Sequence, residues 1–376
     1  MSSPYLSLKV VDITRETPDA VTIQLEHPQK QKINYKPGQF LTLILPLEGQ
    51  EVRRSYSISS TPLEGALAVT VKRVEGGLMS NYLVDDLKVG QEVKVMQPMG
   101  NFCLTCEPSF SRHVFLFGAG SGITPLMSIL KTVLQEEPNS QVTLLYGNRN
   151  EESVIFKEQL QELEAGHQGR FHVEYVYSQP KHDCEHRGRM NQTMILKMLE
   201  RLGVTKNQGM GSKFLKALGL VKQQEAVYYM CGPEGMMEEV RHALEILHVP
   251  ASRIFKESFV NSKPQGEKKQ QAHSSETAAG AGGEVRGQTV TIIYEGAEYA
   301  VEVGPDKTIL EAALEQNIDL PYSCQAGLCT ACRGVCLSGK VELEENDGLS
   351  ESELEEGYVL NCVAHPLTSD VVIEIR

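Results

Sequence analysis

Cys324-Gln325-Ala326-Gly327-Leu328-Cys329-Thr330-Ala331-Cys332 sets three cysteines at x4 and x2 spacing, and a fourth, Cys362, follows after a long gap. This is the plant-type spacing in which four thiolates hold the two irons of a 2Fe-2S cluster. Three ligands on one tight loop need small neighbours, so that backbone N–H groups can approach the bridging sulfides, and Ala326, Gly327 and Ala331 supply them. A structural zinc site is the competing reading. Zinc frameworks usually bring paired C-x2-C knuckles, and this run has one. Cys336 competes with Cys362 for the fourth place, but Gly334-Val335-Cys336-Leu337 reads as a strand leaving the loop, with a packed thiol.

Outward from that loop, the chain from Gln288 carries 4 Lys and Arg against 17 Asp and Glu, a net of −13 that equals the value for all 376 residues. Residues 1–287 are therefore neutral, and an acidic C-terminal part excludes the basic footprint that nucleic-acid binding requires. Val290-Thr291-Ile292-Ile293 reads as a strand, and Thr308 to Gln316 as a helix with Thr308 and Glu311 at capping-box spacing. Before this part, residues 263–287 (KPQGEKKQQAHSSETAAGAGGEVRG) offer too little apolar surface to offset the entropy of ordering. They are expected to form a flexible linker, spanning roughly 25–30 Å as a random coil.

Residues 1–107 alternate apolar and polar in short runs, such as Ala68-Val69-Thr70-Val71-Lys72, broken at Lys36-Pro37-Gly38 and Pro98-Met99-Gly100. That is the pattern of an antiparallel barrel or sandwich. From Arg112 the period changes: His113-Val114-Phe115-Leu116-Phe117 reads as a buried strand, and Leu126, Ile129, Leu130, Val133 and Leu134 as a helical stripe. Val142 to Tyr146 and Val227 to Met230 are further strands, so residues 108–262 are expected to form a parallel doubly wound sheet. Phe117-Gly118-Ala119-Gly120-Ser121-Gly122-Ile123-Thr124-Pro125 joins strand to helix, where glycines let the backbone approach a pyrophosphate at the positive helix end. Ile123 stands where the third glycine of G-x-G-x-x-G would be, and such a turn can also be purely structural. After the second strand, Tyr146-Gly147-Asn148-Arg149 lacks the acid that binds a ribose 2′-hydroxyl and offers Arg149 to a 2′-phosphate, with Glu151 and Glu152 close by. NADP(H) is therefore expected over NAD(H). His182-Asp183-Cys184-Glu185-His186 reads as a solvated loop, a ligand cluster being the alternative.

Taken together these motifs resemble the ferredoxin–NADP reductase superfamily, in its three-domain form ending in a plant-type ferredoxin, over nearly the whole chain. Within it the sequence resembles the reductase components of phenylacetyl-CoA epoxidases, multicomponent di-iron oxygenases, including the segments Gly357-Tyr358-Val359-Leu360 and Pro366 to Val372. The resemblance implies an FAD-binding β-barrel over 1–107, an NAD(P)-binding α/β domain over 108–262, and a 2Fe-2S ferredoxin of α+β (β-grasp) fold over 288–376. It also assigns roles. Arg54-Ser55-Tyr56-Ser57 matches the flavin motif, with Arg54 on the FAD pyrophosphate, Tyr56 against the isoalloxazine and Ser57 near its reactive nitrogen. Gly76-Gly77-Leu78-Met79-Ser80 matches the second phosphate element. Cys231-Gly232-Pro233 matches the nicotinamide-side motif, Cys231 lying beside the hydride path or else being a buried thiol that ends a strand. Glu257-Ser258-Phe259 matches the end of the nucleotide domain, where an aromatic residue often covers the flavin, although for Phe259 core packing is expected.

The implied activity is reduction by NAD(P)H, with electrons passing through FAD and the cluster to an oxygenase component. That acceptor is expected to be a di-iron protein with a basic docking patch. A different acceptor, such as a ring-hydroxylating dioxygenase or a hybrid-cluster protein, is the first alternative, and a non-catalytic electron carrier the second. No stretch approaches the ~18 consecutive apolar residues of a membrane span, and the N-terminus does not read as a signal peptide. A cytoplasmic, reducing location also suits cysteines clustered as ligands.

Overall fold

Period-two alternation builds the first sheet. In β6 (Glu92–Met96), exposed Glu92 and Lys94 alternate with buried Val93 and Val95. Together with β1 (Tyr5–Thr17), β2 (Ala20–Glu26), β3 (Phe40–Leu47), β4 (Gln50–Ser57) and β5 (Leu67–Lys72), it forms an antiparallel sheet of order β4-β3-β6-β1-β2-β5. An antiparallel bridge between Ile58 and Val69, with Ser59 N–H donating to Ala68 O at 2.8 Å, joins the two ends and closes the barrel. The structure is a computed structural model. It describes residues 5–203, 225–259, 287–346, 348–349 and 351–375, so a Gly- and Lys-rich stretch at 205–222 and all of the expected linker except Gly287 lie outside the described residues. Contacts divide the chain into two compact units, Ser2–Phe259 and Val260–Arg376.

The second sheet of the first unit is parallel throughout. It comprises β7 (Arg112–Ala119), β8 (Gln141–Asn148), β9 (Phe171–Tyr177), β10 (His186–Arg187), β11 (Glu225–Gly232) and β12 (Ile254–Ser258), in the order β10-β9-β8-β7-β11-β12. The unbroken apolar run of β7 follows from burial on both faces. Val114 and Leu116 enter one core, Phe115 and Phe117 the other, each such side chain contributing about 1.5–3 kcal/mol. Helix α2 (Ile123–Glu136), the second after α1 (Leu78–Asp85), is buried over most of its surface, Thr124, Ser128 and Thr132 included, because it lies between this sheet and the barrel. Its Ser128 hydroxyl donates to Ser60 O at 2.6 Å and Lys131 pairs with Glu64 at 2.7 Å, both across that boundary. The strand order reverses between β7 and β11, and ligands bind open α/β sheets at the carboxyl ends of such a switch point.

The second unit has a mixed sheet of order β14-β13-β19-β15-β17, formed by β13 (Gln288–Tyr294), β14 (Ala297–Val303), β15 (Arg333–Ser338), β17 (Tyr358–Leu360) and β19 (Val372–Ile375). β16 (Val341–Leu343) and β18 (Ala364–Pro366) form a separate pair. β13 and β19 run parallel, and the helix Ile309–Glu315 packs on the sheet, which makes a β-grasp. That helix begins at Thr308, whose side chain accepts from Glu311 N–H while the Glu311 carboxylate accepts from Thr308 N–H, so the capping box forms.

Two expectations are corrected. Phe259 is 41% exposed, since it lies one residue beyond the edge strand β12, where no described residue covers it. His186 is not in a solvated loop: it lies on β10, with Nε2 2.8 Å from the buried Glu174 carboxylate. Glu174, Glu185 and His186 have ligand atoms within 4.8 Å of one another, but the Arg201 guanidinium bridges both carboxylates and already supplies their counter-charge. Cys336 sits on β15, as its sequence suggests, only partly buried against the core, with Sγ 3.2 Å from Ser338 O.

Candidate functional site

In the second unit the cysteine loop has no regular secondary structure, and it turns at Gln325 (φ 52°) and Gly327 (φ 70°). A side chain on Gly327 would begin 2.8 Å from Glu345 Cβ, so only glycine lets Glu345 approach the loop this closely. Gly348 N–H donates to Gly327 O at 2.8 Å, which pins the two segments together. Cys324, Cys329 and Cys332 lie on the loop; Cys362 enters after β17, beside fully buried Asn361, whose Nδ2 donates to Cys332 O at 2.9 Å. The sulfurs of Cys324 and Cys329, Cys324 and Cys362, and Cys332 and Cys362 are within hydrogen-bond reach. The Cys324 thiol is pulled far below the ordinary range because Cys329 and Cys362 donate to it, with the Ala326 N–H 3.5 Å from its sulfur adding to this. Cys329 and Cys362 are pushed up, because each donates to Cys324 and would ionise beside it while buried. Bound iron removes that conflict, and four converging sulfurs with inward backbone N–H groups are a donor set that fits a 2Fe-2S cluster.

In the first unit, the ends of β7, β11 and β12 align Gly118, Cys231 and Glu257 in one row across the sheet. A side chain on Gly122 would begin 2.0 Å from Cys231 O, so glycine is required for the turn to approach β11. Gly120 adopts φ 54°, and its carbonyl accepts from the Tyr146 hydroxyl at 2.9 Å. Thr124 donates to Ser121 O at 3.0 Å, and Pro125 is the third residue of α2, where its missing N–H is one of the helix's unpaired donors. Cys231 is fully buried, and its thiol is pushed up by desolvation, with the Glu257 carboxylate adding to the shift.

From the barrel, the buried Ser57 hydroxyl donates to Glu257 Oε2 at 3.3 Å. Burial raises the Glu257 carboxyl to about 8, the Ser57 hydrogen bond pulling the other way, although the residue as a whole is not fully covered. A carboxyl raised in this way is neutral at neutral pH. The stability it contributes at acid pH is lost as pH rises through about 8. Tyr56 is half-buried and Arg54, on the same face of β4, is exposed, with Nη1 donating to Arg53 O at 2.7 Å. Gly76 turns with φ 70° into α1, and Ser80 Oγ accepts from Val74 N–H at 3.1 Å.

Glu257 and Lys72 are site residues that local sequence pattern does not assign. Lys72 ends β5, and its Nζ lies 3.5 Å from where a side chain on Gly120 would begin. Its ammonium is shifted down by burial and then by the nearby Arg149 guanidinium, with the Asp19 carboxylate pulling the other way. Two cations beside a glycine turn make a site for phosphate oxygens. The signal in the sequence was only a lysine ending a barrel strand.

These features define a pyridine-nucleotide-dependent flavin and iron–sulfur oxidoreductase. Family models for an oxidoreductase FAD-binding domain, an oxidoreductase NAD-binding domain and a 2Fe-2S iron–sulfur cluster binding domain match residues 7–103, 116–242 and 292–367. A 1,2-phenylacetyl-CoA epoxidase subunit of Escherichia coli K12 is 35% identical over 98% of this chain and 97% of its own length. The ferredoxin reductase component of 3-ketosteroid-9-alpha-monooxygenase from Rhodococcus rhodochrous is 34% identical over 98% and 96%. The solved structure of phthalate dioxygenase reductase, 20% identical with a TM-score of 0.56 and complete coverage of both chains, shares the fold. The chain belongs to the ferredoxin–NADP reductase superfamily, in the three-domain form that ends in a plant-type 2Fe-2S ferredoxin. It is an NAD(P)H-dependent oxidoreductase. Among the described residues, no helix is long and apolar enough to cross a membrane.

Proposed function

We propose that this chain is the reductase component of a multicomponent oxygenase of the phenylacetyl-CoA epoxidase type, working in the cytoplasm on a di-iron partner. The observation that carries the reading is the full-length match to the Escherichia coli epoxidase protein, covering the nucleotide site and the cysteine loop in one chain. Flavin, when bound, accepts two electrons as hydride and releases them one at a time. The protein's own residues orient and shield. Arg54, with Gly76, Gly77 and Ser80, holds the FAD phosphates; Tyr56 stacks on its ring; Ser57, backed by neutral Glu257, presents a hydroxyl at the reacting edge. Gly118, Gly120, Gly122, Thr124 and Pro125 carry the dinucleotide to the row formed by Cys231, Gly232 and Pro233, and Phe259, left exposed, is free to cover the flavin. Cys324, Cys329, Cys332 and Cys362 hold the cluster. A second reading, service to a steroid monooxygenase, draws on the 34% identity to that system's reductase component.

NADP(H) is the preferred donor on this reading, because Arg149 and Lys72 offer two neighbouring cations where phosphate oxygens would lie. Arg149→Ala should lower kcat/KM for NADPH about tenfold while changing that for NADH less than threefold, as expected for one charge-assisted contact of roughly 1.5 kcal/mol. Steady-state ferricyanide reduction with each nucleotide checks this, and equal losses for both would remove the argument for NADPH.

Acceptor docking is assigned to the acidic surface of the ferredoxin unit, where Glu342, Glu344, Glu345, Glu355 and Glu356 are all exposed. Charge complementarity raises encounter rates without making the complex too tight to separate. With the purified epoxidase oxygenase component as acceptor, turnover should fall steeply as ionic strength rises past about 0.1 M, where the Debye length is ~10 Å. Neutralising Glu344, Glu345, Glu355 and Glu356 should slow turnover at low salt and flatten that dependence. A rate insensitive to salt would mean the acidic surface serves solubility alone, and absence of turnover with the epoxidase but not with a steroid monooxygenase would favour the second reading.

A further inference from the structure

Thr330 stands between Cys329 and Cys332 on the cluster loop. Its hydroxyl oxygen is buried and, among the described residues, has no hydrogen-bond partner, although the residue as a whole is only half-buried. The side chain therefore turns its polar end inward, against the preference of a hydroxyl for water. Little in the loop leaves it free to turn out. Thr330 O accepts from Arg333 N–H at 3.2 Å, the Arg333 guanidinium lies 4.6 Å over the Tyr358 ring and pairs with Glu353, and Ala331 and Cys332 on its C-terminal side are buried. A β-branched side chain on backbone held at its carbonyl side has few χ1 choices. The Asn361 amide is committed through Nδ2 to Cys332 O, while its Oδ1, like the Thr330 hydroxyl, is buried without a partner among the described residues. The sulfurs of Cys324, Cys329, Cys332 and Cys362 converge inside this loop and are acceptors toward which its buried proton can point.

We propose that the Thr330 hydroxyl donates a hydrogen bond to a sulfur of the 2Fe-2S cluster held by Cys324, Cys329, Cys332 and Cys362, and thereby raises the cluster's reduction potential. Thr330 is a positioning residue: it acts on the cluster's electronics and touches neither nucleotide nor flavin. Reduction adds negative charge to the cluster, so a donor to sulfur stabilises the reduced form more than the oxidised one. Removing the donor lowers the potential and makes the cluster a poorer electron acceptor.

The inference rests on the cluster reading, and its test separates the two. Full-length protein would be prepared as wild type, Thr330→Val and Thr330→Ser, assayed for iron, and titrated spectroelectrochemically. At a fixed potential the reduced-to-oxidised ratio of the Val variant should fall about tenfold, which for a one-electron couple is ~59 mV. The Ser variant, which keeps the hydroxyl, should stay within twofold of wild type. Exchangeable-proton couplings in the magnetic spectrum of the reduced cluster should lose one member in Val and keep it in Ser. A fully loaded Val variant with an unchanged ratio overturns the proposal, and so do equal shifts in Val and Ser, which would assign the effect to packing. If the Val variant does not retain iron, Thr330→Ala replaces it, and iron loss from both with retention in Ser would make the hydroxyl an assembly requirement and overturn the tuning role. Wild-type protein without iron would overturn the cysteine assignment itself.

Discussion

Cys362→Ser should lose essentially all of its iron, whereas Cys336→Ser should keep it. The two cysteines differ by surroundings and not by intrinsic chemistry. The Cys362 sulfur is within hydrogen-bond reach of Cys324 and Cys332, in a buried position fixed by Asn361, so losing it removes one of four ligands. The Cys336 sulfur points along its own strand end, 3.2 Å from Ser338 O and 3.9 Å from Gly339 O. Ligand binding energy in such sites is also folding energy, so the Cys362 variant should show a lower melting temperature for the ferredoxin unit, with the flavin-binding unit unaffected. Iron analysis and the visible spectrum decide. Loss of iron from Cys336→Ser with retention in Cys362→Ser would reverse the assignment.

A fragment ending at Phe259 should bind FAD, oxidise NAD(P)H and reduce ferricyanide at close to the full rate, while its turnover with a one-electron protein acceptor drops at least a hundredfold. The reason is that Ser2–Phe259 is a compact unit with its own barrel core and two cores on the parallel sheet, joined by polar pairs such as Ser128 with Ser60 and Ser57 with Glu257. Among the described residues, none of the ferredoxin unit belongs to those cores. Flavin content and the two acceptor rates, measured on one preparation, check the prediction. A fragment that cannot hold flavin would show that the second unit supports the first.

Much of this was legible in the chain because the signals are local. Alternation at Glu92 to Met96 marks a barrel strand, the unbroken run at Val114 to Phe117 a strand buried on both faces, and Thr308 with Glu311 a helix start; each rests on residues within one turn or a few strand steps. The x4 and x2 cysteine spacing is local in the same sense. What the sequence hid depends on contacts between distant residues. Ser57 and Glu257 meet across 200 positions, and Lys72 approaches Gly120 only because α2 seats the parallel sheet on the barrel. Phe259 reads as core because it is aromatic and near a strand, but β12 is an edge strand and ends one residue earlier. His186 reads as loop because its neighbours are polar, yet a two-residue parallel pairing with β9 places it against Glu174.

Electrons enter this protein as hydride at the flavin and leave singly through the cluster. The most direct measurement is anaerobic mixing of the full chain with NADPH, followed at once by flavin bleaching and by the magnetic signal of the reduced cluster, in wild type and in Cys362→Ser. Both signals should appear in wild type, and flavin bleaching alone, at an undiminished rate, in Cys362→Ser. A reduced cluster in flavin-free protein, or a flavin that stays oxidised once Cys362 is replaced, would contradict the account.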